Sequence, residues 1–447
     1  MLHELRATSR ERGGGRRARG IGVLLLSLTL AGTVAPGHAL AEEAPESEEP
    51  TSIWERDTLS GDWFGVRKTL ESHGVAFGFD YTGEVMGVVS GGLHRRAVYL
   101  DNIDLTLTLE LERLLGWKGA SAFLYGLGDR GGSPSANVGD AQVVSNIDAP
   151  NTWKLYEAWL QQKLLDDKLS VLAGLYNLNG EFDVVDTAHV FLNSSHGIGK
   201  DYSQSGLGGP SIFPATSVAA RVKVTPSPAW YAQLAVLDGV AGNPRDPHGT
   251  QVVWHGSDGV LIASEVGHLE GADEASAVTP GKIALGSWYY TANFDHVAAA
   301  EPAGRPRREH GNFGIYGLVE QTLFHEADDP ARGLAGWVRV GGANPRINQF
   351  GWYIGAGLVY RGPLPNRGQD QLGLAVANAI NGGEFLRDAR RIGDPVERVE
   401  SAIELLYRVQ ITPWAYAQPD VQWVINPSTS RHIPDALVLG TRFGVSF

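Results

Sequence analysis

From Val75 onward, apolar and polar residues take turns along the chain. Val75, Phe77, Phe79, Tyr81 and Val85 alternate with Ala76, Gly78, Asp80, Thr82 and Glu84. Ile103, Leu105, Leu107, Leu109 and Leu111 alternate in the same way with Asn102, Asp104, Thr106, Thr108 and Glu110. A period of two is that of a β-strand and not of a helix. One strand cannot say whether its polar face meets bulk water or a wet lumen.

The set of strands can. The pattern predicts sixteen, at about 75–88, 98–112, 119–128, 153–165, 168–177, 217–226, 229–238, 259–269, 281–292, 312–323, 333–341, 349–362, 369–378, 397–411, 414–425 and 435–447. Their connections sort by length. Asp166-Asp167, Ser227-Pro228 and Thr412-Pro413 are tight turns, while 129–152, 178–216, 239–258, 293–311 and 379–396 are long and rich in Gly, Asn, Asp and Pro. An even strand count with short turns at one end and long loops at the other is the signature of an outer-membrane barrel. The connections 270–280 and 324–332 are long for such turns. The predicted fold is all-β, a transmembrane 16-stranded antiparallel β-barrel over 75–447 with a short N-terminal periplasmic helix.

That helix is read over 59–74, capped by Ser60 or Asp62 and stopped at Gly74. Before it, residues 42–58 are acidic and hold Pro45 and Pro50, the composition of a flexible leader. Residues 1–41 run from a basic region (Arg6 to Arg19) through an apolar stretch (Ile21 to Val34) to the small-residue site Ala39-Leu40-Ala41, the order of a secretory signal peptide. The apolar stretch is short for a spanning helix, and no later segment offers eighteen apolar residues in a row. At the other end, Leu437, Leu439, Thr441, Phe443, Val445 and Phe447 share one face, as suits a last strand that meets lipid.

Composition narrows the classes. Fifty-seven Gly with 12 Trp, 14 Tyr and 14 Phe suits an all-β chain with many hairpins. No Cys is present, so disulfides and thiol catalysis are excluded. Cleavage near Ala41 would leave 31 basic against 48 acidic residues, a net −17 that argues against nucleic-acid binding.

The chain resembles the carbohydrate-selective porins of the OprB family over nearly all of its mature length. The stretches that carry the resemblance are LSGDWFGVRKTLESHGVAFGFDYTGEV (59–85), LLGWKGASAF (114–123), VVSNIDAPNTWKLYEAWLQQ (143–162), LYNLNGEFDV (175–184), FLNSSHGIGKDYSQSGLGGPSIFP (191–214) and QPDVQWVINP (418–427). The resemblance implies a sixteen-stranded outer-membrane barrel that lets glucose-like sugars diffuse inward without cofactor or energy source. The implied partners are small neutral carbohydrates, outer-membrane lipid and lipopolysaccharide, and the barrel-assembly machinery acting on the final strand that ends in Phe447. Oligomeric state stays open between a monomer and a homo-oligomer.

Catalytic chemistry finds no foothold. Gly126-Leu127-Gly128-Asp129-Arg130-Gly131 matches a dinucleotide fingerprint, but a loop follows it where a helix is required. None of the 13 His sits in a metal-protease spacing, and no metal site, cofactor or enzyme activity is expected. A sugar pore needs donors and acceptors for hydroxyls and flat rings for the sugar face. Alternation places Asp80, Glu84, Asp104, Arg130, Glu157, Trp159, Tyr176, Arg221, Arg339, Arg361, Arg408 and Arg442 on the lumen face. Lumen-wall ion pairs are the plain alternative for each. Phe313, Trp352, Tyr360 and Phe443 face outward as girdle aromatics. The 39-residue connection 178–216, with Glu181, Asp183, Asp186, His189, Asn193, His196, Lys200 and Asp201, is expected to fold inward and narrow the pore. The rival readings are an ion-preferring or general porin of the same fold, and an exported β-rich enzyme or lectin.

Overall fold

The computed structural model describes residues 52–243, 245–253, 255–271, 281–300 and 306–447; the expected signal peptide and most of the acidic leader lie outside them. Its strands are β1 (Val75–Ser90), β2 (Ala97–Glu110), β3 (Ala120–Gly131), β4 (Thr152–Leu164), β5 (Leu169–Tyr176), β6 (Ser217–Ser227), β7 (Trp230–Asp238) and β8 (Val260–Glu270), continuing with β9 (Gly281–Ala300), β10 (Pro306–His325), β11 (Gly333–Ala343), β12 (Phe350–Arg361), β13 (Gln371–Asn381), β14 (Val399–Thr412), β15 (Ala415–Ile425) and β16 (Ala436–Ser446). Each pairs antiparallel with its neighbours, and β1 pairs with β16 to close the barrel. Closure leaves no unpaired edge, which a sheet in lipid requires.

Every expected strand is present, within a few residues of its predicted ends. The exceptions are β9 and β10, which run on to Ala300 and back from Pro306 where a long loop was expected. Polar residues do not stop this hairpin, because its ladder continues past the membrane band: Arg308 pairs with Asp295 and Glu309 with Phe294. The connection 379–396 also holds a helix rather than irregular loop.

At the N-terminal end α1 spans Val66–Ser72, shorter than predicted. Trp63, Phe64 and Gly65 all have positive φ, so helical geometry starts only after Gly65, which is the N-cap. Ser60 is therefore not the cap; its hydroxyl accepts a hydrogen bond from Trp63 Nε1. Asp62 accepts from the Lys68 amide at 2.8 Å without standing at the cap position. The predicted stop holds, as Gly74 adopts φ 87°.

Alternation sorts the wall as expected. Ile283, Leu285, Phe313, Ile315 and Trp352 are more than half exposed on the outside, where acyl chains replace water. The inner positions of β6 to β14 are often small: Ala219, Ala235, Ala263, Ala284, Ala375, Ala377 and Ala402 are all buried. Something packs against them.

Candidate functional site

What packs there is the connection between β5 and β6. Phe182, Val185, Phe191 and Tyr202 from this segment share one apolar cluster with the inward rings Trp288, Tyr290, Tyr316 and Trp337. Tyr202 stacks on Trp288 with centroids 5.1 Å apart and planes 7° from parallel. Burying a side chain of this size is worth about 1.5–3 kcal/mol. The Phe191 ring lies over Gly373, where a Cβ would come within 3.0 Å of it, so this wall position is small by necessity.

The segment follows the inner wall strand by strand. Glu181 takes Arg221 of β6, its Oε2 2.8 Å from Nε and its Oε1 3.0 Å from Nη2. Gln233 of β7 donates to the Glu181 carbonyl, and the Asp183 amide donates to Glu265 of β8. Lys282 of β9 donates to the Val184 carbonyl. Glu320 of β10 accepts both the Asp186 and Thr187 amides, at 3.2 and 2.8 Å. Arg339 of β11 holds Asp183 through Nε and Nη2, and Asp201 through Nη1. Tyr353 of β12 donates to the Ser195 carbonyl. Glu404 of β14 accepts the Leu192 and Asn193 amides at 2.6 and 3.0 Å, and Gln418 of β15 donates to the Val190 carbonyl.

A second connection, between β3 and β4, meets the wall from β14 to β16. Glu400 accepts the Ala141 and Gln142 amides, Gln422 donates to the Val144 carbonyl, and Arg442 donates to Asn146. One device recurs in both segments. A wall carboxylate grips two successive backbone amides, whose partial charges converge on it as on any bound anion. These backbone groups lie away from water and would cost about 1–3 kcal/mol each if unpaired.

The predicted site residues separate accordingly. Glu84 is fully buried and paired with Arg442; Nε to Oε1 is 2.6 Å. Glu157 is buried, accepting from the Trp159 indole and the Asn177 amide. Tyr176 donates to Glu181 at 2.6 Å, and Glu181 and Arg221 complete that network with Gln161 and Ser170. Arg339, 3 % exposed, is committed to its two aspartates. Arg361 faces inward at the short-turn end of β12, donating to Gln369, far along the strand from the inserted segment. Asp80 and Trp159 face inward and stay partly exposed.

Arg130 is a correction. It alternates with buried Asp129, pairs with Asp101 and lies over the outward Trp153 ring, so it faces outside the lumen. The inward parity of β3 falls on Phe123, Tyr125, Leu127 and Asp129, and the sequence expectation was one residue out of step. The anchors Glu265, Glu320, Glu400 and Glu404 were missed. Their signal was present, each an acid on the inward parity of its strand among apolar or small residues such as Ala263, Leu318, Ala402 and Leu406.

Burial shapes protonation in the inserted segment. It pushes Asp183 up to about 7 against the pull of Arg339, with Asp201 sharing the guanidinium. His196 is driven down to about 3 by burial, so its 3.4 Å approach to Glu404 is not an ion pair at neutral pH. Among the described residues no group of three or more His, Asp or Glu side chains could hold a metal ion.

A different set of inward groups keeps contact with solvent. Around β14, β15, β16 and β1 to β3, toward the short-turn end, Arg408, Tyr416, Asp80, Thr82, Asp104 and Tyr125 are all partly exposed. The Arg408 guanidinium stacks 3.6 Å above the Tyr416 ring. That ring lies flat over Gly444, where a Cβ would come within 2.1 Å of it. Tyr125 donates to Asp104 and Ser446 to Asp80. The tethered connections thus occupy one side of the lumen, and a wall of mixed donors and acceptors stays partly exposed beside them.

The family model for the carbohydrate-selective porin, OprB family, matches residues 94–447. The chain belongs to this family. It is similar to Porin B of Pseudomonas aeruginosa, at 27 % identity over 92 % of this chain and 95 % of that one. It is also similar to the putative porin QuiX of Acinetobacter baylyi, at 22 % identity over 88 % of this chain and 94 % of the relative. The high-pH structure of Pseudomonas putida OprB superposes with a TM-score of 0.77 at 25 % identity, covering 89 % of this chain and all of that one. Family and fold place the barrel in the bacterial outer membrane as a carbohydrate-selective porin, a channel rather than an enzyme.

Proposed function

We propose that this porin passes small neutral sugars of glucose size along the open arc of wall from β14 round to β4, and that the inserted segment 178–216 sets the width of the passage. The observation that carries this reading is the division of the inward polar groups. Glu84, Glu157, Tyr176, Glu181, Arg221 and Arg339 are spent on holding the two inserted connections. Asp80, Asp104, Trp159, Arg408 and Tyr416 remain partly exposed. They offer acceptors, flat rings and a guanidinium without a carboxylate partner among the described residues, the mixture that sugar hydroxyls and ring faces need. Each contact is weak enough for release, as passage requires. The outer-membrane setting also makes outer-leaflet lipid a partner, and the final strand, with Phe447 stacked on Phe79 at 4.4 Å, is the element offered to the assembly machinery.

Uptake of radiolabelled glucose by liposomes containing the refolded protein, against an amino acid of similar size, tests the reading. Faster glucose entry in the wild type, lost in Arg408→Ala with the pore still open to ions, supports it. Equal entry of the two solutes in the wild type rules out sugar selectivity.

A further inference from the structure

On the outer wall at the long-loop end, a recess of about 310 Å3 opens between the barrel and helix α2 (Gly383–Ile392). Its lower boundary is lipid-facing wall: Trp352, near the start of β12 and 57 % exposed, and Ile380, near the end of β13, pair across the ladder. Pro345 closes one side. Leu386 and Arg390, one helical turn apart and so on the same face of α2, close the other, and Arg398 joins them from the approach to β14.

Charge at this recess departs from the rest of the molecule. The chain carries 50 acidic against 37 basic residues, yet no Asp or Glu lines it. The neighbouring arginines are all spent, Arg387 on Glu384, Arg391 on Asp388 and Arg431 on Glu397. Arg390 and Arg398 have neither an ion pair nor a side-chain hydrogen bond among the described residues. Two uncommitted arginines therefore line the same recess as Trp352 and Ile380, which continue the membrane-facing wall at its long-loop end. That is the height at which outer-leaflet headgroups meet the barrel, where Trp girdles lie.

We propose that this recess binds the phosphate-bearing headgroup of an outer-leaflet glycolipid, Arg390 and Arg398 taking the phosphate while Trp352 and Ile380 meet the first part of an acyl chain. The occupant is fixed by two features together. Guanidinium forks match phosphate oxygens, and a soluble anion would have no use for the apolar floor. The site rests on the outer-membrane placement of the barrel and is independent of which solute crosses the lumen.

The test uses the full chain in mild detergent, with bisphosphorylated lipid A, its dephosphorylated form and inorganic phosphate as probes, read as the rise in unfolding temperature and as retained adducts by native mass spectrometry. The wild type should be stabilised by bisphosphorylated lipid A and hardly by the other two. The double variant Arg390→Gln, Arg398→Gln should bind it roughly tenfold more weakly, about 1.4 kcal/mol, with glucose flux unchanged. Trp352→Ala should weaken lipid A binding while leaving both arginines in place. An equal temperature rise in the double variant overturns the proposal, as does full stabilisation by inorganic phosphate alone. A double variant with altered sugar flux would show that the recess belongs to the conduction path, and overturns it too. Absence of sugar selectivity in the wild type would instead strike the function proposed above and leave this site standing.

Discussion

Two regions of the same lumen treat charge in opposite ways. Between β6 and β14, the inward Arg221, Glu265, Glu320, Arg339 and Glu404 are buried and committed, each to a backbone amide or an opposite charge of the β5–β6 connection. Around the short-turn half of β14 to β3, inward groups of the same residue types stay partly exposed. Residue type and strand parity are alike in both, so neither separates an anchor from a pore-lining group. The difference lies in what comes to face the group. Where the β5–β6 connection supplies amides and aspartates, a wall charge becomes a tether; where it supplies nothing, the charge is left for water and solute.

Removing a tether should cost stability, and removing an open group should cost selectivity. The largest effect is expected for Arg339→Met, which leaves Asp183 and Asp201 buried without their cation. A loss of about 3–5 kcal/mol should appear in detergent unfolding, with a rise in single-channel conductance as the segment loosens. Glu404→Leu strands the Leu192 and Asn193 amides and should cost roughly 2–4 kcal/mol, read the same way. If both variants unfold and conduct like the wild type, the inserted segment is not held by these charges.

His196 adds a pH-dependent edge to the tethered side. Its folded value of about 3 lies below the ordinary 6.5, so between those values the unfolded chain takes a proton that the native state refuses. Stability from this group is full above pH 6.5 and falls on acidification, by about 1 kcal/mol at pH 5.5. Unfolding midpoints of His196→Asn followed from pH 7.5 to 5.5 should fall less than those of the wild type; parallel curves would remove the histidine from the account. The smallest change in stability is expected on the open side. Arg408→Ala should shift it by less than about 1 kcal/mol, while glucose flux relative to a similar-sized amino acid drops roughly threefold to tenfold, the worth of one lost hydrogen-bonding group. A large stability loss there would make Arg408 another tether and erase the contrast.

Much of the barrel was legible along the chain because alternation is a local property. Val75 to Glu84 shows its period without reference to any other strand, and the tight turn at Asp166-Asp167 marks one end of the barrel by its length alone. Where local pattern misled, a long-range or backbone cause lay behind it. The β9–β10 hairpin extends through polar residues because ladder pairing does not need a lipid-facing side chain. The helix starts late because Trp63 and Phe64 take left-handed geometry. Arg130 was placed inside because its strand was read one residue out of phase, and a slip of one exchanges the faces.

The site divided along the same line. Strand parity, a property of the sequence, put Asp80, Glu84, Trp159, Tyr176, Arg221 and Arg339 on the inner wall, and the length of 178–216 marked it as more than a linker. Which of these wall groups are held and which are open depended on a partner hundreds of positions away, as with Leu192 and Glu404 or Arg442 and Glu84. The sequence by itself determined the strands, their faces and the closed barrel, since these follow from the repeat of two and the demand that every backbone group in lipid be paired. Only the tertiary structure decided which charges became tethers, because a carboxylate meets its amides through space and not along the chain.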